Sequence, residues 1–145
     1  MAREAGATAA VQTADAAREL SGGGFDVVLE SAGNAAAADL AAGLVGAKGH
    51  AVFVGIPHAP VELAKETWNR FMRLEVTLHG AWNSFSAPFP GDEWRTAAAK
   101  LATGELRWEF MITHELPLAA LPDMMRTLGD RSTFTSKVLF VPSAG

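Results

Sequence analysis

The sequence predicts an α/β fold: a doubly wound parallel sheet lacking its first strands, followed by a helix-and-strand tail. Three observations carry this reading. Phe25–Glu30, His50–Ile56 and Leu74–Trp82 are apolar, strand-like runs, each ending in or near glycine. An alanine-rich helical stretch joins the first two and a shorter mixed stretch joins the last two, the alternation that builds parallel sheets. The glycine-rich phosphate loop that normally opens such a fold is absent, so the chain reads as the back half of a larger protein.

Composition narrows the class. A chain of 145 residues suits one domain with a real core. Hydrophobic content of 49% against 19% charge excludes general disorder. The net charge of −4 and the lack of a basic stripe argue against nucleic acid as a partner. Cysteine is absent, which removes disulfides and thiolate metal sites and fits a cytoplasmic location. No apolar run approaches the roughly 20 residues that a membrane helix needs. The N-terminus, with Arg3 and Glu4, has no secretory h-region.

Ala2–Ala5 reads as the last turn of a helix, with Gly6 as its left-handed C′ residue. Ala7–Thr13 is a weak strand candidate and Asp15–Leu20 a short helix, followed by a Ser21–Gly24 loop. Phe25–Glu30 is the first well-marked strand. Ser31 or Asn34 can cap the helix Ala35–Val45, whose Leu40 and Leu44 share a face and whose alanines allow close approach to a sheet. Gly46 and Gly49 would end that helix. His50–Ile56 is nearly continuously apolar, as expected of a central strand covered on both faces.

Lys65–Arg73 is a helix with Trp68 and Met72 on one side. Leu74–Gly80 alternates Leu74, Val76 and Leu78 with Glu75, Thr77 and His79, which suggests an edge strand. Asn83–Gly91 is a loop. Asp92–Thr103 is a helix capped by Asp92, with Trp94, Ala98 and Leu101 inward. Leu116-Pro117 leads into a helix carrying Leu121, Met124, Met125 and Leu128, and Lys137–Val141 is a final strand.

Chemistry-bearing motifs are sparse. His50, His58, His79 and His114 show no ligand spacing, and His50 and His79 read as structural strand residues. His58 follows a strand end, where parallel sheets place their ligands. No G-x-S-x-G or G-x-x-x-x-G-K-[ST] motif is present. Ser31-Ala32-Gly33 and Val54-Gly55-Ile56 are each explicable as tight turns. Together, at successive parallel strand ends, they suggest the lining of a nucleotide cleft. Glu30 ends a strand, but too late in the order to be the acid that holds a ribose.

Asp26–Gly33, Val54-Gly55-Ile56-Pro57, Arg73-Leu74-Glu75-Val76 and Ser136-Lys137-Val138-Leu139 resemble the C-terminal part of zinc-dependent medium-chain alcohol and polyol dehydrogenases. The stretch Gly80-Ala81-Trp82-Asn83, continuing through Pro88-Phe89-Pro90-Gly91-Asp92-Glu93-Trp94, is similar to the galactitol-1-phosphate 5-dehydrogenase-like branch. The resemblance covers nearly the whole chain. It implies an incomplete Rossmann-type sheet, with residues 1–103 the end of a dinucleotide-binding domain and 104–145 a tail returning to a catalytic domain. It implies NAD or NADP as cofactor and oxidation of a secondary alcohol of a polyol or sugar-alcohol phosphate.

By the same resemblance, Ser31 and Ala32 line the adenosine or ribose side of the cofactor. Val54, Ala81 and Asn83 meet the nicotinamide carboxamide, and Lys137 contacts the diphosphate. Trp82 and His58 border the substrate pocket. The family's zinc, which polarises the alcohol oxygen, has no matching ligands in this chain, and no catalytic residue is matched. Dinucleotide binding by the chain alone is therefore expected to be weak or absent, and the chain alone inactive. The alternative is a non-catalytic remnant or oligomerisation module. A homo-oligomer through Leu74–Trp82 is expected, because that strand pairs with its twin in the family.

Overall fold

In a computed structural model, residues 1–82, 89–130 and 133–142 are described. They form two compact units, one spanning Val11–Phe89 and the other made of Met1–Ala10 with Pro90–Gly145.

The first unit alternates helices and strands: α1 (Ala14–Ser21), β1 (Phe25–Glu30), α2 (Ala35–Leu44), β2 (Val45–Phe53), α3 (Lys65–Leu74) and β3 (Thr77–Gly80). The three strands form a parallel sheet in the order β1-β2-β3, with β2 in the middle. Val27, Val28, Leu29 and Glu30 pair with His50, Ala51, Val52 and Phe53, which in turn pair with Thr77, Leu78, His79 and Gly80. The predicted strand order is the one observed.

The core is small and built on alanine. Ala38, Ala41, Ala42 and Leu44 of α2 are buried with Val45 and Ala51 of β2 and Phe71 of α3. Alanine lets the α2 axis lie close to the sheet. Gly43 continues the approach toward α3, where an added Cβ would stand 3.9 Å from the Thr67 hydroxyl. Val45 is fully buried, which contributes roughly 2 kcal/mol of hydrophobic stabilisation.

Several boundaries differ from expectation, each for a local reason. Ala7–Thr13 forms no strand; Thr13 instead caps α1, its hydroxyl accepting from the Ala16 amide at 3.3 Å. β2 begins at Val45, directly after α2, rather than at His50. Gly46 and Gly49 lie inside that strand, where the register with β1 shifts and Lys48 is left-handed (φ 58). A Cβ on Gly49 would stand 2.9 Å from the Asp26 carbonyl oxygen, so contact with β1 selects glycine there.

β2 also stops at Phe53, because the Val54 and Gly55 amides turn to the Glu30 carbonyl. β3 begins only at Thr77. Leu74 ends α3, and Glu75 is its left-handed cap (φ 53), donating to the Phe71 carbonyl. The largest departure concerns cover. Helices α2 and α3 pack on the face carrying Val28, Ala51 and Phe53. The opposite face, with Val27, Leu29, His50, Thr77 and His79, is exposed, Val27 and Leu29 by 60% and 63%.

The second unit holds α4 (Asp92–Ala102), β4 (Ile112–Pro117), α5 (Leu121–Asp130) and β5 (Lys137–Val141). β4 and β5 pair in parallel. β4 is absent from the sequence reading: its Thr113, His114, Glu115 and Pro117 hide a strand that only the partner β5 defines. Helix α4 buries none of its residues, so Trp94 and Leu101 are not inward, and its N-cap is Gly91 rather than Asp92. In α5, Met124 alone is buried.

Candidate cofactor site

All strands of the first sheet run one way, so their carboxyl ends gather at one edge. That edge carries the turn from β1 into α2, the segment after β2, and residues 81–82 after β3.

Glu30 organises this edge. It is 5% exposed at the end of β1. Its Oε1 accepts from the Ala32 and Gly33 amides, both at 2.8 Å. Its carbonyl oxygen accepts from the Val54 and Gly55 amides at 2.9 and 3.1 Å. One residue thus fixes two successive strand-end segments, its side chain holding the first and its backbone the second. A buried carboxylate is costly unless it is hydrogen-bonded, and here the bonds come from the turn itself.

Glycine is required on both sides of the contact. Gly33 has φ +67, and a Cβ there would stand 2.6 Å from the Ile56 carbonyl oxygen. A Cβ on Gly55 would stand 2.6 Å from the Glu30 Oε2. Asn34 then caps α2, its Oδ1 accepting from the Ala37 amide at 2.9 Å. The amino end of α2, with no acidic residue in its first turn, favours negative charge.

A cavity of about 220 Å³ lies at this edge, lined by Glu30, Gly33, Asn34, Phe53, Gly55 and Pro57 among others. Ordinary ligand pockets run from about 300 to 1,000 Å³, so this cavity is smaller than most.

The fold brings Ser31, Ala32, Val54 and Ala81 to the three strand ends of one unit, with His58 in the segment after β2 and Trp82 directly after Ala81. All six are exposed, Val54 by 40% and Trp82 by 61%. The Val54 amide is bonded to Glu30 and the Ala81 amide to Phe53, at 2.9 Å each. Carbonyl oxygens are therefore what these two residues can offer a carboxamide. Asn83 lies outside the described residues. Lys137 opens β5 in the second unit, where it lines an apolar cleft with Trp108, Met111 and Leu139.

The exposed Ser31, the close-approach glycines and the α2 amino end fit part of a dinucleotide. They do not fit zinc: among the described residues no group of three or more His, Asp or Glu side chains could hold a metal ion, and the chain has no cysteine. Among the described residues, Glu4 and Glu109 of the second unit have carboxyls held below the ordinary range. Glu4 is lowered by a hydrogen bond from the chain's amino terminus, and Glu109 by backbone N–H groups of its own residue and Trp108. No described helix is long and apolar enough to cross a membrane.

Sequence reading missed two features. Glu30 stands too late in the strand order for a ribose ligand, yet a carboxylate ending an apolar strand before Ser-Ala-Gly has to find backbone donors nearby. His50 and His79 lie 29 residues apart, and only the β2–β3 register makes them neighbours.

Residues 1–103 match the family model described as zinc-binding dehydrogenase. Galactitol 1-phosphate 5-dehydrogenase of Escherichia coli (strain K12) is 31% identical over 116 residues, 80% of this chain and 33% of that protein. The chain thus spans about a third of the length of the curated relatives it matches. The crystal structure of galactitol-1-phosphate dehydrogenase from Escherichia coli superposes with a TM-score of 0.77 at 28% identity, covering 90% of this chain and 38% of that one. A structure from Sinorhizobium meliloti 1021, described as a zinc-binding dehydrogenase bound to NADP, gives 0.71 at 27%, covering 97% and 41%. The parallel β1-β2-β3 sheet is part of the Rossmann-like nucleotide-binding fold of such enzymes, and the chain belongs to the zinc-binding dehydrogenase family.

Proposed function

We propose that this chain supplies cofactor-facing strand ends to an NAD(P)-dependent, zinc-containing oxidoreductase. Its reaction is the oxidation of a secondary alcohol of a polyol or sugar-alcohol phosphate to a ketone. The nicotinamide cofactor, held in part by these strand ends, would supply the hydride acceptor for that oxidation. The observation that carries the reading is the Glu30-fixed strand-end edge in a chain 31% identical to galactitol 1-phosphate 5-dehydrogenase.

In this reading Ser31 and Ala32 face the adenosine or ribose. Val54, Ala81 and Asn83 face the carboxamide, and Lys137 the diphosphate. Trp82 and His58 border the substrate. Residues 1–103 complete the dinucleotide-binding domain and 104–145 return to the catalytic domain. The described residues hold no zinc ligand set, so in this reading they contribute to the cofactor side of the site and not to the zinc.

The test is enzymatic. The longest native product carrying this sequence, identified by mass spectrometry, is purified with its zinc and assayed for NAD(P)H formation. A sugar-alcohol phosphate is expected to give a higher kcat/KM than the same polyol without phosphate. No cofactor reduction with any polyol or polyol phosphate overturns the reading and leaves the remnant or oligomerisation module.

A further inference from the structure

Two of the chain's four histidines meet on the open face of the first sheet. His50 in β2 pairs in register with Thr77, and His79 stands two residues further along β3. Their side chains share the face opposite α2 and α3, and both are exposed. The His50 Nδ1 and His79 Nε2 are 2.9 Å apart, with ring centroids at 5.1 Å and planes tilted by 34°. One ring donates and the other accepts, and the donor nitrogen gains a lone pair when its proton moves to the other nitrogen of the same ring.

That spacing is informative. Two ligand nitrogens about 2.05 Å from one metal and at 90° to each other stand about 2.9 Å apart, whereas tetrahedral ligands stand about 3.3 Å apart. The pair is therefore pre-spaced for adjacent positions of a tetragonal ion. Each ring has only to turn its lone pair roughly 45° off the line joining the nitrogens, which exposed side chains can do. Both rings stand on hydrogen-bonded strands, so little backbone order has to be gained on binding.

We propose that His50 and His79 form a two-histidine chelate for a tetragonal divalent transition metal, Cu(II) before Ni(II), with water completing the coordination. Each ring binds as a neutral imidazole, the proton between them moving to the donor ring's other nitrogen as the metal takes its place. Zn(II) binds more weakly, because both the affinity order and the 2.9 Å spacing disfavour it. The site is separate from the strand-end edge and independent of the function proposed above.

The test uses the 145-residue chain and CuCl2. Equilibrium dialysis is expected to give one tightly held copper per chain. The electron paramagnetic resonance spectrum of wild type should show two equatorial imidazole nitrogens. His50→Gln and His79→Gln should each weaken binding tenfold or more, while His58→Gln and His114→Gln should bind as wild type. Copper held equally by His79→Gln, lost on replacing His58 or His114, or ligated by a single imidazole would overturn the proposal. The wild-type spectrum decides the matter even if a variant fails to fold.

Discussion

Replacing Glu30 with alanine removes a buried acceptor that two amides share. Hydrogen bonds to a charged group contribute about 1.5–3 kcal/mol each, and an orphaned buried donor costs about 1–3 kcal/mol. Ala32 is exposed, so its amide can turn to water; Gly33 is buried, so its amide cannot. Glu30→Ala should therefore lower stability by roughly 3–5 kcal/mol, a large part of the about 5–15 kcal/mol that a folded domain has. Glu30→Gln keeps an acceptor and loses only the charge, so about 1 kcal/mol is expected.

Urea unfolding followed by far-UV circular dichroism measures the global effect. With a slope of about 1–3 kcal/mol/M, the alanine variant should unfold roughly 2 M earlier. Amide hydrogen exchange supplies the local reading. In Glu30→Gln the Ala32 and Gly33 amides should exchange faster. The Val54 and Gly55 amides should keep their protection, because they bond to the Glu30 backbone carbonyl, which the substitution leaves in place. A loss below about 1 kcal/mol for Glu30→Ala, with exchange at Ala32 and Gly33 unchanged, would refute the clamp.

The remaining expectations are briefer. Gly55→Ala drives a Cβ to 2.6 Å from the Glu30 Oε2 and against the Gly33 backbone, so it should destabilise by about 2–3 kcal/mol in the same unfolding assay. Asn34→Ala removes the α2 cap and should cost about 1 kcal/mol. Calorimetry of the 145-residue chain with NAD should give no micromolar binding, since the phosphate-binding loop is absent from its sequence; a micromolar Kd would contradict this. The chain should sediment as a dimer paired along β3. The Ala81 amide points to β2, so by strand alternation the Gly80 amide points outward, and Gly80→Pro should shift the dimer to monomer. A wild type that is monomeric at high concentration removes that dimer.

Local sequence sufficed where a signal is contained in one element. Phe25–Glu30 and Lys137–Val141 are strands with the bounds that their apolar runs imply, and Asn34 caps the alanine helix as its residue type requires. The order of the three parallel strands also followed, because alternating strands and helices leave few topologies. The family resemblance rests on motifs that are likewise contiguous.

What depended on contact between distant segments was not legible. The start of β2 is set by Gly49 against β1, and β4 exists because β5 lies beside it. The open face of Val27 and Leu29 depends on which side the helices settle, which an apolar strand does not encode. Glu30 and the His50–His79 pair show the same limit. A carboxylate or an imidazole reads as inert until the fold brings its partner within 3 Å, and that distance is fixed by strand register rather than by neighbours in the chain.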